Sequence, residues 1–296
     1  MTPVISTPQM HMLMVLAEEL HFGRAAARLR IAPPQLSLSL RRIEEVVGVR
    51  IFIRRPKVQV TPAGEALLKM GARALSEIIE GIAEARAIAS GETGTVRLGF
   101  TSTVMFTRFS EVVTRFQQDQ PRVQIRFQEK YSSTLVEDLR RGEVDLIVSR
   151  ENADDEKIVS RKLIEDRIML VVPERHPANT GSAVKLADFG DETLIFFRRP
   201  VAPAYHDKIF KACRSAGYDP AVVQEIDSWS ATLALVRSGY GITLGTSAQH
   251  DLRLPGLAFC EIGDPLPDAS FWLSHCPAHV PPAARRLLDR LNEAFA

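Results

Sequence analysis

Residues 22–48 read FGRAAARLRIAPPQLSLSLRRIEEVVG, and this stretch decides the fold of the N-terminal part of the chain. Its first eight residues predict a short helix whose alanines allow another helix to pass closely. Because proline is accepted in the first turn of a helix, a further helix should begin near Pro34 and run towards Val47. Its inward face is expected to carry Leu36, Leu40 and Ile43. Two helices joined by a tight turn form a helix-turn-helix, whose second helix can enter the major groove of DNA.

A helical pattern precedes this stretch, and a basic turn follows it. Apolar residues recur at helical spacing over Thr7–Leu20, which predicts a first helix closed by His21 and Phe22. Two short strands are expected around the basic turn 54–57, forming a wing whose cations face phosphates or a minor groove. We therefore predict that residues 1–61 form an all-α or winged helix-turn-helix domain that binds double-stranded DNA.

A long helix is predicted after the wing. Thr61 is placed as its N-cap and Pro62 as its first residue, and the helix can continue to about Ser90, a length of about 40 Å. One face carries a seam of apolar residues: Leu68, Ala72, Leu75, Ile79 and Ile82. Such a seam favours dimerisation through this helix, and an internal core helix is the alternative. Residues 62–91 are thus predicted to be a linker and dimerisation helix with a hinge.

Several short motifs follow one another in a distinctive order through this region. They are residues 22–29, 36–37, 41–45, 48, 52–54 and 61–64. Together they resemble the DNA-binding head of the LysR-type transcriptional regulators, especially the branch that controls the catabolism of aromatic compounds. The resemblance implies a transcription regulator that recognises a specific DNA site, forms a dimer and then a tetramer, and works with RNA polymerase.

The predicted recognition helix and wing depart from the family pattern. Ala32-Pro33-Pro34 stands where the family usually has Ser-Gln-Pro, Leu38 stands where an arginine is common, and the wing is one residue shorter. These departures leave the fold and class intact but alter the individual DNA contacts. The expected contacts are Arg24, Pro34, Gln35, Ser37, Ser39, Arg41, Arg42, Arg54, Arg55 and Lys57.

Strand and helix patterns alternate through the rest of the chain. Strands are expected at 95–100, 123–129 and 144–149, with helices at 104–118 and 134–141 between them, and the second half repeats this alternation. The pattern predicts a mostly parallel sheet with helices on both faces. The chain should cross between two lobes near Glu165 and return near Pro265. Lobe I is then about 92–164 and 266–296, and lobe II about 165–265.

Two strand-to-helix junctions of lobe I are rich in hydroxyl groups. They are Thr101, Ser102 and Thr103 after the first strand and Ser132, Ser133 and Thr134 after the second. Ligands of open α/β sheets bind beyond the carboxyl ends of strands, where a helix N-terminus favours an anion. The alternative is ordinary N-capping by serine and threonine. Two equivalent clusters favour a pocket for a small organic acid.

The resemblance adds expectations about this pocket. Residues 92–296 resemble the family's α/β two-lobed effector domain, which is similar in architecture to periplasmic solute-binding proteins. Relatives that control aromatic degradation contact their effector at the positions of Thr103, Ser132 and Pro203-Ala204-Tyr205, although many have serine in place of Ala204. Phe106, Tyr205 and Trp229 are candidates for an apolar wall, and ordinary core residues are the alternative for each.

Charge is distributed unevenly along the chain. Residues 1–60 contain nine Lys and Arg against four acidic residues, whereas residues 61–296 contain 28 against 32, and the formal net charge is +1. A basic segment attached to a mildly acidic remainder is typical of a polyanion-binding module joined to another domain. A solvated basic face is the alternative.

The sequence argues against several other classes of protein. No apolar run approaches the roughly 20 residues that span a bilayer, and the N-terminus does not resemble a secretory signal, so we expect a cytoplasmic protein without a membrane partner. The cysteines Cys213, Cys260 and Cys276 are few and widely spaced, which favours reduced thiols.

No enzyme motif is found either. The chain lacks a G-x-S-x-G elbow and a phosphate-binding loop. A metal site at His275, Cys276 and His279 is disfavoured because Pro277 breaks the spacing and no second cluster completes it. We therefore expect no catalysis, metal or cofactor beyond the effector. The remaining alternative to a DNA-binding regulator is a solute sensor with a protein-interaction head.

Overall fold

The computed structural model describes residues 5–153, 156–220 and 222–296 and separates the chain into two units, Met1–Arg86 and Ala87–Ala296. The first four residues of the predicted N-terminal domain thus lie outside the described residues. None of the helices in the described ranges is long and apolar enough to cross a membrane.

The N-terminal unit begins with α1 (Thr7–Glu19), α2 (Phe22–Leu29) and α3 (Pro33–Val47). The prediction that Phe22 closes α1 was wrong. Leu20 ends α1 in the left-handed conformation, with a φ of 44°, and His21 becomes the N-cap of α2 because its ring nitrogen accepts a hydrogen bond from the Arg24 amide, 3.2 Å away. Gly48, with a φ of 78°, ends α3 as its position predicts.

The three helices enclose the predicted core. Its fully or almost fully buried members include Leu13, Leu16, Ala25, Ala26, Leu36, Leu40 and Ile43. The inward face predicted for α3 is therefore confirmed. Ala32, the residue before α3, makes no side-chain hydrogen bond to the helix, so the missing polar N-cap is a real feature of the fold.

The wing is a short hairpin anchored to α3. Its strands, β1 (Phe52–Ile53) and β2 (Gln59–Val60), pair antiparallel on either side of the basic turn. One carboxylate oxygen of Glu44 accepts hydrogen bonds from the amides of Ile51 and Phe52, at 2.8 and 3.1 Å. A carboxylate on α3 therefore sets the direction in which the wing leaves the helices.

The long helix predicted after the wing is confirmed as α4 (Pro62–Ser90). The Thr61 hydroxyl accepts a hydrogen bond from the Gly64 amide at 3.0 Å, which is the expected N-cap. Leu68 and Leu75 of the seam pack against the helical core of the same unit, whereas Ile79 and Ile82 are 67% and 49% exposed. The first seam residues of α4 therefore belong to the core of this unit, whereas the later ones are exposed.

Lobe I contains the strands that begin the second unit and the last strand of the chain. Its elements are β3 (Gly94–Phe100), α5 (Phe109–Asp119), β4 (Val123–Glu129), α6 (Ser132–Arg140), β5 (Leu146–Ser149), β6 (Val159–Ile164), β12 (Phe271–His275) and α10 (Pro282–Ala294). The sheet order is β4-β3-β5-β12-β6, and the first three of these strands are parallel.

Lobe II is formed by the chain between β6 and β12. Its elements are β7 (Ile168–Pro173), β8 (Thr193–Phe196), α7 (Pro203–Ser215), β9 (Val222–Glu225), α8 (Trp229–Arg237), β10 (Thr243–Thr246), α9 (Ser247–His250) and β11 (Leu257–Glu261). Strand β7 lies between β10 and β11, and β8 pairs with β9 in parallel. A parallel bridge between Leu194 and Ile242 connects the two groups.

The prediction of a mostly parallel sheet was wrong, and both lobes depart from it in the same way. In lobe I, β12 runs antiparallel to both β5 and β6; in lobe II, β7 runs antiparallel to both β10 and β11. These two are the strands by which the chain enters each lobe from the other one. Neighbouring parallel strands need a helical crossover between them. A strand that arrives directly from the other lobe has no such crossover, so it can pair antiparallel with its neighbours.

The structure also divides the helix predicted at 104–118. A 3₁₀ helix covers Ser102–Phe106, and α5 starts only at Phe109, because Thr107 adopts an extended conformation and its hydroxyl accepts a hydrogen bond from the Phe109 amide at 3.2 Å. Strands β6 and β11 and the short helix α9 were not predicted. Polar residues at 160–162 interrupt the apolar pattern of β6, which lies at the edge of its sheet.

Candidate DNA-binding surface and effector pocket

The exposed face of α3 carries polar and charged groups together with Pro34 and Leu38. Pro34, Gln35, Arg41 and Arg42 are exposed there, whereas Ser37 and Ser39 lie half-buried at the edges of this face. Neither Arg41 nor Arg42 has a carboxylate partner within the described part of the chain. Two unpaired guanidinium groups on an exposed helix face suit phosphates or the acceptor edge of guanine.

The other predicted cations of this unit fall into two groups. Arg24 is held by Glu19, with Nε 3.1 Å from its carboxylate, and Arg54 by Glu44 at 3.3 Å. Arg55 and Lys57, at the tip of the wing, are exposed and form no ion pair with any described residue. The tip cations are therefore available to an incoming anion, while Arg24 and Arg54 also serve the fold.

In the second unit, a cavity of about 610 Å³ lies between the lobes. Residues that follow the carboxyl ends of β3, β4 and β5 line it from lobe I, and residues at the ends of β8, β9 and β10 line it from lobe II. This is the position at which α/β sheets hold ligands, because helix N-termini and loop side chains converge there.

The structure brings most of the predicted effector residues to this cavity. Thr101, Ser102, Thr103, Ser132 and Tyr205 line it, and so does Thr134. Three others are not among the described lining residues: Ser133, Pro203 and Ala204. Ser133 is exposed because it lies one position further round the first turn of α6 than Ser132.

Aromatic and aliphatic side chains form one wall of the cavity. The Tyr205 ring stacks on Phe197, with centroids 6.3 Å apart and planes 5° apart, next to Phe196, Ile209 and Ile226. Burial raises the pKa of the Tyr205 phenol, which therefore remains a hydrogen-bond donor at neutral pH. Trp229 lines the cavity, whereas Phe106 does not and is partly exposed.

Two lining residues carry buried polar atoms without a partner. The Thr101 hydroxyl oxygen and the Trp229 indole nitrogen make no hydrogen bond with any described residue. Buried polar groups in proteins almost always have a partner, since leaving one unpaired costs about 1–3 kcal/mol. In addition, α6 begins at Ser132 without a side-chain cap. Both residues line the cavity, but these two atoms are themselves buried from it, so the polar groups offered to a ligand are the other lining hydroxyls and the uncapped start of α6.

Sequence reasoning missed the charged centre of the cavity, Arg150. It directly follows β5, and one of its terminal nitrogens lies 3.1 Å from Asp166, 3.1 Å from the Thr103 hydroxyl and 3.3 Å from that of Thr246. Its other terminal nitrogen donates to the Ala269 carbonyl. Arg150 thus joins lobe I to lobe II and to both segments that connect them. The sequence feature that could have identified Arg150 is its position directly after a buried strand.

Asp166, in the first connecting segment, completes this network. Its carboxylate accepts hydrogen bonds from the Ser247 hydroxyl at 2.6 Å and the Ala248 amide at 3.1 Å, at the start of α9. The side chains of Arg150 and Asp166 are 10% and 1% exposed. The second lining cation, Lys130, is likewise paired, 2.5 Å from Asp138. Both lining cations therefore already have a carboxylate partner within the protein.

The remaining candidate chemistry is not assembled into a site. Cys213 and Cys260 are buried free thiols, and burial raises the pKa of Cys213 to about 11, which keeps it protonated and unreactive. In the described ranges, no group of three or more His, Cys, Asp or Glu side chains is placed to hold a metal ion.

Comparison with known families covers nearly the whole chain. Residues 8–65 match the family model for bacterial regulatory helix-turn-helix proteins of the lysR family, and residues 89–296 match the LysR substrate binding domain. The transcriptional regulator XapR of Escherichia coli is 32% identical over 95% of both chains.

Solved structures agree on the architecture. The LysR family regulator CbnR is 22% identical, with a TM-score of 0.81 over 97% of this chain and all of that one. CbnR in complex with its target DNA gives a TM-score of 0.84 at 21% identity, covering 99% of this chain and all of the other. These relatives are transcription regulators rather than enzymes, and the match to the DNA-binding head leaves no support for a protein-interaction head. The chain belongs to the LysR family of DNA-binding transcription regulators with an effector-binding domain.

Proposed function

We propose that the effector of this regulator is a small organic acid with an apolar or aromatic body, held in the cavity between the lobes. The observation that carries the proposal is that hydroxyl groups of two strand-to-helix junctions, 101–103 and Ser132 with Thr134, line one cavity beside the uncapped start of α6. Its carboxylate is bound by hydroxyl and N–H groups, because Lys130 and Arg150 already have carboxylate partners. The stacked Phe197 and Tyr205 rings receive the body.

A thermal-shift screen of organic acids tests this proposal. An acid that binds should raise the melting temperature of the full chain, since a ligand stabilises the state it binds. The double substitution Thr103→Ala and Ser132→Ala should abolish the shift while DNA binding persists. Ser133→Ala is the matched control, because this neighbouring hydroxyl does not line the cavity. An undiminished shift in the double variant would place the effector elsewhere.

The DNA contacts form the second part of the proposal. We infer that α3 lies in the major groove with Pro34, Gln35, Ser37, Ser39, Arg41 and Arg42 against the bases and phosphates. Arg55 and Lys57 contact the backbone from the wing, and Arg24 and Arg54 add charge from positions set by their carboxylate partners. The exposed side chains of α3 and of the wing tip support this assignment.

Assembly is the third part. The uncovered half of the α4 seam supports a dimer that presents two heads to successive turns of DNA, and family resemblance extends this to a tetramer. We propose that effector binding changes the angle between the lobes and, through it, the packing of the subunits. The effector can shift this equilibrium only as far as its affinities for the two arrangements differ. We propose that the regulator works in the cytoplasm and acts on RNA polymerase at the promoter.

A further inference from the structure

The proposed recognition helix carries a leucine on the face opposite its buried residues. Leu38 is 48% exposed, although Leu36 and Leu40 on either side of it in the sequence are fully buried. A helix turns by about 100° per residue, so a position two residues from both buried leucines points almost directly away from the core. The described residues of the same unit leave this side chain uncovered.

Two arginines, a glutamine and a proline surround Leu38 on the helix surface. Its neighbours three and four positions away are Pro34, Gln35, Arg41 and Arg42, and all of them are exposed. Leu38 therefore stands at the centre of the surface that we assign to the DNA. When the flanking guanidinium groups and the glutamine contact the duplex, this side chain is pressed against the edges of the bases.

Leucine has no donor or acceptor to offer a base. Against the exposed edge of guanine, adenine or cytosine it would remove water from polar groups without replacing the lost hydrogen bonds. Thymine is different, because it presents a 5-methyl group in the major groove, which apolar side chains contact favourably. The groove feature that matches Leu38 is therefore a methyl group.

We propose that Leu38 is a specificity-determining residue that recognises the 5-methyl group of a thymine in each half of the operator. The inference rests on the proposed placement of α3 in the major groove. It adds a readout by apolar contact to the charged and polar contacts assigned above.

Deoxyuridine provides the test, because in a duplex it differs from thymidine only by the absence of this methyl group. A preferred duplex is first selected from a random library with the full-length protein, and each thymine is then replaced singly by deoxyuridine. Binding is measured by fluorescence anisotropy. At one thymine per half-site, the replacement should weaken the wild type about fourfold, as expected for the burial of one methyl-sized group.

Two variants of Leu38 and one control variant complete the experiment. Leu38→Ala should bind the thymine and deoxyuridine duplexes with affinities within about twofold of each other. Leu38→Arg should shift the preferred base at that position to guanine, whose O6 and N7 accept both branches of a guanidinium. Val46→Ala is the control, because it removes another exposed apolar side chain from the same helix, two turns further on. It should preserve the preference for thymine.

The outcomes separate this inference from the function on which it rests. A wild type that selects no duplex would overturn the proposed DNA contacts and with them the role of Leu38. A wild type that binds a selected duplex but tolerates every deoxyuridine would overturn the role of Leu38 alone. A deoxyuridine effect that persists in Leu38→Ala would assign the methyl group to another residue and also overturn it.

Discussion

Arg150 and Asp166 show at the residue scale how a buried charge pair secures the joint between the lobes. We expect Asp166→Ala to lower the free energy of unfolding of the effector domain by about 3 kcal/mol, because it leaves the guanidinium buried without its carboxylate. Both tryptophans, Trp229 and Trp272, lie in this domain, so urea unfolding followed by their fluorescence reports the change.

An exposed pair in the same domain provides the control. Glu261 lies 2.7 Å from Arg167, and both side chains are more than half exposed. Glu261→Ala should change the free energy of unfolding by less than about 1 kcal/mol, because water screens an exposed ion pair. Equal losses in the two variants would contradict a special role for the Arg150–Asp166 pair.

His206 predicts how stability depends on pH. Burial lowers its pKa below the ordinary 6.5, and the nearby carboxylate of Asp207 offsets this only in part. As the pH falls from 7 through 6.5 towards the lowered pKa, the unfolded chain gains a proton that the folded chain does not, so stability declines. The melting temperature of His206→Gln should fall less over this range than that of the wild type.

His250 serves as the matched control because it is exposed. His250→Gln should keep the wild-type decline between pH 7 and 5.5. If His206→Gln declines as steeply as the wild type, the acid sensitivity arises from other groups, of which His275 is the first to examine, since burial lowers its pKa as well.

At the scale of the element, the seam of α4 predicts the state of assembly. If α4 forms the proposed dimer, Ile79→Glu together with Ile82→Glu should lower the oligomeric state in analytical ultracentrifugation, because the two charges would be buried without partners at the helix pair. Met70→Glu is the control. It is also exposed, but it lies nine residues before Ile79 and therefore on the opposite face of the helix. A dimer that survives the double change would show that α4 is not the contact.

Elements with strong local signals could be predicted from the sequence. The periodic burial of Leu36, Leu40 and Ile43 and the capping threonine Thr61 specify α3 and α4 through contacts a few residues apart. Strand β6 could not be predicted in this way, because its polar residues 160–162 interrupt the apolar pattern and it is held by pairing with β12, more than a hundred residues later. Short-range patterns carry no information about such a partner.

At the scale of the whole molecule, the same limit applies to the effector pocket. The hydroxyl clusters could be located because each follows a strand. Arg150 was missed because its partners are not its sequence neighbours: Asp166 is 16 residues away, and Thr246 and Ala269 are 96 and 119 residues away. Even Ser133 and Ala204, chosen by sequence position, depend on helix rotation to face the cavity, and they do not line it.

The place of β12 has a consequence for how the protein is made. This strand lies between β5 and β6, which do not pair with each other in the described sheet, and among the described elements it is followed by a 3₁₀ helix (Pro277–His279) and by α10. While the ribosome is still translating residues 271–294, lobe I has a gap in the middle of its sheet, although lobe II is already entirely synthesised. A chain that is cut short before residue 271 therefore lacks this central strand, and the strand edges of β5 and β6 that it leaves unpaired invite aggregation.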